Sequence, residues 1–270
     1  MKIKNTLFVI AFTTIFLITK AIGQTSEIQS NSDFLVAQPA ADRTVSFNVS
    51  DTGVYKPIIW GLDLAWLSES NIRRGIAFMG ADRVDVVRAS FQPTLPLVNG
   101  DLQAAQIADL NARINLINLT GSKTLVALNC DHPTVDAWYA GNAERWAQLI
   151  DVTTRRVQER GRKVITVSPF NEPDFGWGQG TVTDFYNIAG ELRKNPRFDT
   201  IRISGGNTLN SDQALPWYNQ LKSRLDEGNT HQLAGSFDNF ASFYKTVRAN
   251  GHHATGDELH NVMEAMVGVE

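Results

Sequence analysis

From Pro57 onward short apolar runs alternate with amphipathic stretches, and that rhythm restricts the fold more than any other feature of the chain. Strands are expected at 58–64, 84–89, 124–129, 163–167, 201–204, 232–236 and 259–264. The segments between them repeat at helical intervals: Ile107, Leu110, Ile114 and Ile117; Val182, Phe185, Ile188 and Leu192; Trp146, Ile150 and Val157. Strands that are apolar along their length and separated by helices imply a parallel sheet covered on both faces. Seven units of roughly 25–40 residues favour a (β/α)8 TIM barrel over an open doubly wound sheet, which usually has fewer strands. The sequence stops at Glu270, so we expect a C-terminally incomplete barrel, strands one to seven of a longer polypeptide.

Composition excludes several partners. The chain has 270 residues, 43% apolar and 20% charged, enough to bury a full core. Its net charge is only -3 and no long basic run occurs, so it has no electrostatic footprint for nucleic acid or anionic lipid. The single cysteine, Cys130, excludes an internal disulfide and a cysteine-based metal site, and its apolar setting reads as a buried thiol. Lys2 and Lys4 precede an apolar stretch ending in small residues at Ala21 to Gly23, which reads as a signal peptide over 1–23. A polar leader at 24–55 and a catalytic domain at 56–270 follow, and the expected location is secreted or periplasmic, with no stable membrane insertion after cleavage.

The chemistry-bearing motif is Val167-Ser-Pro-Phe-Asn-Glu-Pro173, whose Glu172 follows the fourth expected strand. Glu264 closes the seventh, so both carboxyls are expected at the same end of a parallel sheet. Two carboxylates facing one cavity suit retaining glycoside hydrolysis, one as acid and later base, the other as nucleophile. The alternatives are a surface turn closed by Pro173 for Glu172, and a buried ion-paired carboxylate for Glu264. Asp131 and His132 follow the third strand, where His132 either binds sugar or stabilises its loop. Trp177, in a glycine-rich stretch, and Trp66, beyond strand one, are candidate sugar platforms, with core packing as the alternative. Asn207 is a weaker candidate, and His260 fits a supporting role.

Placed on this rhythm, Asn171-Glu172-Pro173 after strand four, Glu264 at strand seven and Arg88 in Val-Val-Arg-Ala near the end of strand two resemble the clan A glycoside hydrolases, retaining (β/α)8 glycosidases. The likeness covers most of residues 57–267. It implies that Glu172 is the acid/base, Glu264 the nucleophile, Arg88 its brace, and Asn171 a hydrogen-bonding partner of the sugar 2-hydroxyl. Glu172 is then expected to have a raised pKa, from neighbouring Glu264 and partial burial. No cofactor is implied, and the expected partner is a β-linked polysaccharide or oligosaccharide. In that clan strand six usually ends in a His or Tyr supporting the nucleophile, whereas Gly235-Ser-Phe-Asp238 offers neither. A non-catalytic carbohydrate-binding barrel is the alternative function. A metal-dependent hydrolase using His252, His253, His260 and Glu264 lacks a helical His-x-x-x-His pair.

Overall fold

A computed structural model describes residues 58–65, 67–260 and 264–265. The chain divides into two units, Met1–Tyr55 and Lys56–Glu270, and the first, with the expected signal peptide and leader, lies outside the described residues. In the second, seven strands form one sheet in chain order, every neighbouring pair parallel. They are β1 Gly61–Asp63, β2 Val86–Phe91, β3 Leu125–Cys130, β4 Val164–Ser168, β5 Arg202–Asn210, β6 Glu227–Ala234 and β7 His253–Thr255. Helices alternate with them: α1 Glu69–Met79, α2 Ala104–Ile117, α3 Ala143–Glu159, α4 Val182–Leu192, α5 Ser211–Leu221 and α6 Phe237–Ala249. This is the (β/α)8 barrel architecture, and the described residues hold seven of its strands.

The sheet is curled, as one ion pair shows. Arg88 of β2 lies 3.3 Å from Asp257, just past β7. Five inter-strand steps in a flat sheet would separate them by roughly 24 Å. Curling brings the ends of distant strands to one place, which is what the site requires.

Local sequence explains the elements. Helix α3 starts where the Asn142 side chain accepts the Arg145 N–H at 3.0 Å, and it buries Trp146, Leu149, Ile150, Thr153 and Val157 at three- and four-residue spacing. Helix α4 starts at a reciprocal capping box between Thr181 and Asp184. The middle strands β2 and β3 are buried along nearly their whole length, as a sheet covered on both faces demands. At Gly228 of β6 any Cβ would collide with Val247 and Phe243 of α6, so the missing side chain sets how closely that helix packs.

Two strands differ from expectation. The sixth begins at Glu227 instead of 232, because the polar run Gly228-Asn-Thr-His231 is fully buried and pairs with β5 and β7. The seventh is the short His253–Thr255, while of the run expected at 259–264 Leu259 and His260 carry no strand pairing, Glu264 is helical, and 261–263 lie outside the described residues.

An aromatic ladder supports the end of β4. The rings of Tyr139, Trp146, Phe170 and Phe185 meet edge to face in sequence, with centroids 6.0, 5.1 and 5.3 Å apart. Trp146 Nε1 also donates to the Pro169 carbonyl at 3.1 Å. Phe170, which is fully buried, thus fixes the backbone just before Asn171 and Glu172. Replacing Phe170 by Ala should cost about 3–5 kcal/mol of stability, read as a lowered urea midpoint. A change under about 1 kcal/mol would show that the ladder is not a packed unit.

Candidate active site

All seven strands run the same way, so their carboxyl ends share one face, and the polar side chains converge there. The centre is Arg88 of β2, 3% exposed. Its guanidinium forms ion pairs with Asp63 of β1 at 3.0 Å, Asp131 after β3 at 3.0 Å, and Asp257 and Glu258 after β7 at 3.3 and 3.1 Å. It also donates to Asn171 Oδ1 at 2.8 Å. Burial opposes its charge, but the four carboxylates outweigh that and raise its pKa above the ordinary arginine value.

Glu172 is presented by a strained turn. Its backbone is left-handed at φ 49°, rare for a residue with a side chain, and is held there by its N–H donating to the Asn207 carbonyl at 2.8 Å. Asp174 ties the same turn to the end of β5 by accepting the N–H groups of Leu209 and Asn210 at 2.7 and 3.0 Å. The Glu172 carboxylate meets His231 Nδ1 of β6 at 2.9 Å through Oε1, and accepts Trp177 Nε1 at 3.4 Å through Oε2. The other ring nitrogen of His231 lies 3.0 Å from Asp257 Oδ1.

Both imidazole nitrogens therefore face carboxylates, and the ring fits as an imidazolium donating twice. Burial opposes the charge of His231, but hydrogen bonds to Asp257 and Glu172 push its pKa up to about 10. Burial likewise pushes the Glu172 carboxyl upward, yet the hydrogen bond and charge of His231, with Trp177 and Arg88, bring it below the ordinary carboxylate value. Asp257 behaves similarly, with burial outweighed by Arg88 and His231. The expected rise in the Glu172 pKa is thus corrected, because a buried cation sits against the carboxylate.

Glu258 stands opposite Glu172. One oxygen is paired with Arg88, the other is 3.1 Å from His260 Nε2, and His231 Nδ1 is 3.7 Å away. Glu172, His231 and Glu258 offer ligand atoms within 4.8 Å of one another, a spacing that suits a cation. His231 Nδ1 is engaged by Glu172 at 2.9 Å, so a cation here would have to displace that hydrogen bond and its proton. His252 and His253, considered for a metal from sequence, go elsewhere: to the Tyr218 hydroxyl at 2.9 Å and to Glu227 at 3.3 Å.

The structure brings Arg88, Asn171 and Glu172 together as the sequence suggested. Asn171 is buried, its Oδ1 accepting from Arg88 and from Asn207 at 3.0 Å, and its Nδ2 donating to Asp131 at 3.2 Å. Asn207 fixes both Asn171 and Glu172. His132 accepts the Thr134 N–H on Nδ1 at 3.0 Å, the contact of a loop-stabilising residue. Trp177 is half-buried and engages Glu172 through its indole N–H, while Trp66 lies outside the described residues. Cys130 is fully buried, and burial first, then Asp131, raises its thiol pKa.

Glu264 is displaced from its expected place. It is buried in helical backbone, its Oε2 accepts the His260 N–H at 2.5 Å, and the residues that follow the seventh strand are Asp257 and Glu258. His231, Asp257 and Glu258 are the residues that sequence reading missed. Strand six does supply a histidine, so its expected absence is also corrected; the signal was a histidine within a buried polar strand rather than at its apolar end.

No protein-family model matches this chain, and no curated protein matches it in sequence. Among solved structures it is similar to an endo-β-1,6-glucanase at 11% identity and TM-score 0.52, covering 70% of this chain and 51% of that one. A GH30 endoxylanase from Clostridium papyrosolvens gives 14% identity and TM-score 0.50, over 72% of this chain and 54% of that one. A 3,6-anhydro-D-galactonate cycloisomerase from Zobellia galactanivorans gives 15% and 0.48, over 80% and 51%. The chain spans about half the length of these three proteins. At such identities the likeness to the glucanase and the endoxylanase shows a shared barrel fold.

The charge balance at Arg88 is open to test. Asp257, whose folded pKa is depressed, contributes stability above its unfolded pKa, and that contribution is lost as pH falls through the folded value. Arg88→Met should cost about 3–5 kcal/mol near neutral pH, because it strands buried carboxylates. The gap to the native protein should narrow as pH falls from neutrality toward about 4, as Asp257, whose burial is then opposed mainly by His231, takes up a proton. Urea melts between pH 4 and 8 measure this, and a pH-independent gap would contradict it.

Proposed function

We propose that this site hydrolyses β-glycosidic bonds in a polysaccharide or oligosaccharide with retention of configuration, with Glu172 as acid/base and Glu258 as nucleophile. The observation that carries the reading is the opposed pair itself: one oxygen of each carboxylate lies within 4.8 Å, at the carboxyl ends of β4 and β7. Retaining glycosidases hold their carboxyls about 5–5.5 Å apart, whereas about 6.5–9.5 Å leaves room for the water of inversion. The barrel fold shared with the endoxylanase and the endo-β-1,6-glucanase supports the reading by analogy. Glu258 replaces Glu264 in the role because it follows the seventh strand directly and pairs with Arg88.

In the first half-reaction a Glu258 oxygen attacks the anomeric carbon. The glycosidic C–O bond breaks, its electron pair stays on the leaving oxygen, and Glu172 in its acid form protonates that oxygen. Arg88 and His260 hold the Glu258 carboxylate in place for attack. In the second, Glu172 as carboxylate takes a proton from water while the water oxygen displaces Glu258 from the ester. One Asn171 Nδ2 hydrogen goes to Asp131, and the second suits the sugar 2-hydroxyl. With residues 1–23 read as a signal peptide, the enzyme meets its glycan in the periplasm or outside the cell.

Activity on a panel of β-linked polysaccharides tests the reading. Glu172→Gln should lower turnover of natural substrates by roughly 10²–10⁴-fold yet spare bond cleavage in aryl glycosides with activated leaving groups. Glu258→Gln should stop both, while Glu264→Gln should retain most activity. Trapping with a 2-fluoro sugar and peptide mass spectrometry should place the adduct on Glu258. An adduct on Glu264, or a product of inverted configuration, would overturn the assignment.

A further inference from the structure

We propose that His231 is the positioning residue of the acid/base: pinned through Nε2 by Asp257, it presents Nδ1–H to Glu172 and sets the pH range in which Glu172 can give up a proton. The inference rests on the glycosidase reading for its kinetic consequence but on printed geometry for its structure. His231 is fully buried in β6, so its ring cannot find water as an alternative partner. Its two nitrogens lie 2.9 Å from Glu172 Oε1 and 3.0 Å from Asp257 Oδ1, which fixes the ring at both ends. Asp257 is held in turn by Arg88 at 3.3 Å and by Asn129 Nδ2 at 3.1 Å, so the chain of contacts ends on two other strands.

The charged and titratable groups around this chain come from every strand end but one. Arg88 of β2 and the imidazolium itself are the cations. Asp63 of β1, Asp131 after β3, Glu172 after β4, and Asp257 and Glu258 after β7 are the anions. From α6, the Tyr244 hydroxyl feels Asp257 and Glu264, and after burial these raise its pKa, so it stays neutral. The nearest cation to Glu172 is His231, and it favours the carboxylate. In the free site Glu172 is therefore poised as the base of the second half-reaction, and acting as the acid requires one added proton. That proton leaves with the aglycone and is regained from the hydrolytic water, so the cycle closes without net uptake. When Glu258 becomes an ester, the His231 cation loses one anion 3.7 Å away, and its field on Glu172 is less screened while Glu172 works as base.

The test has a kinetic and a spectroscopic arm. The alkaline limb of kcat/KM against pH reports loss of the acid proton in the free enzyme. With His231→Gln, which removes the charge and keeps an amide to hydrogen-bond, that limb should move up by about one pH unit or more, because the main opposition to burial is then gone and only Trp177 and Arg88 still favour the Glu172 carboxylate. Asp257→Asn should move it the same way by weakening the imidazolium. A residue that merely filled space would lower kcat and leave the limb where it was. In the native protein, ¹⁵N-histidine spectra should show His231 doubly protonated from pH 6 to 8, with titration displaced toward about 10. A neutral His231 at pH 7, or an unmoved limb in both variants, overturns the proposal. A protonated His231 in a protein that cleaves no glycoside would leave the geometry standing and sink the glycosidase reading alone.

Discussion

A guanidinium enclosed by four carboxylates from three strand ends is the interaction on which this barrel face depends. Arg88 sits on β2, and its ion partners follow or end β1, β3 and β7, so one buried cation ties together segments far apart in sequence. Isolated carboxylates at that depth would cost several kcal/mol each, and the cation makes their convergence tolerable. A cluster of this kind adds little net stability, because desolvation offsets most of the Coulomb gain. What it provides is placement: Asp257 and Glu258 are held at the end of a three-residue strand that has few backbone contacts of its own.

The opposite wall is built by backbone rather than charge. Glu172 occupies a left-handed turn that a residue with a side chain seldom adopts, and Asn207, Asp174 and Gln179 all spend hydrogen bonds to keep that segment in place. Below it, Phe170 is locked between Trp146 and Phe185. Packing supplies rigidity and the turn supplies direction, so the Glu172 carboxylate points toward β6 and β7. Five carboxylates share two cations here, and the excess negative charge suits a site that must hold and release protons.

The strand–helix rhythm, the barrel architecture and the first five strands were legible before any coordinates, because apolar runs and helical spacing report burial directly. Arg88, Asn171 and Glu172 were legible for the same reason: each adjoins a strongly apolar strand whose end is easy to find. The later strands were misplaced where burial and polarity part company. Gly228 to His231 reads as a polar loop, yet it is buried because the residues serve the cavity instead of the core. The run from Leu259 reads as a strand, although Leu259, Val262, Met263 and Met266 also recur at three- and four-residue spacing, and Glu264 proves helical.

Sequence by itself thus determined a parallel α/β barrel and half of its candidate chemistry, since local hydrophobic period and one motif suffice for both. Which glutamate faces Glu172, and that a histidine lies between Glu172 and Asp257, only the tertiary structure decided. The reason is that the curl of the sheet sets distances across the cavity: Glu258 and His231 are 86 and 59 residues from Glu172 in the chain and neighbours only once β4, β6 and β7 share one curved face. No local pattern encodes that closure, because it is the sum of strand pairings along the whole sheet.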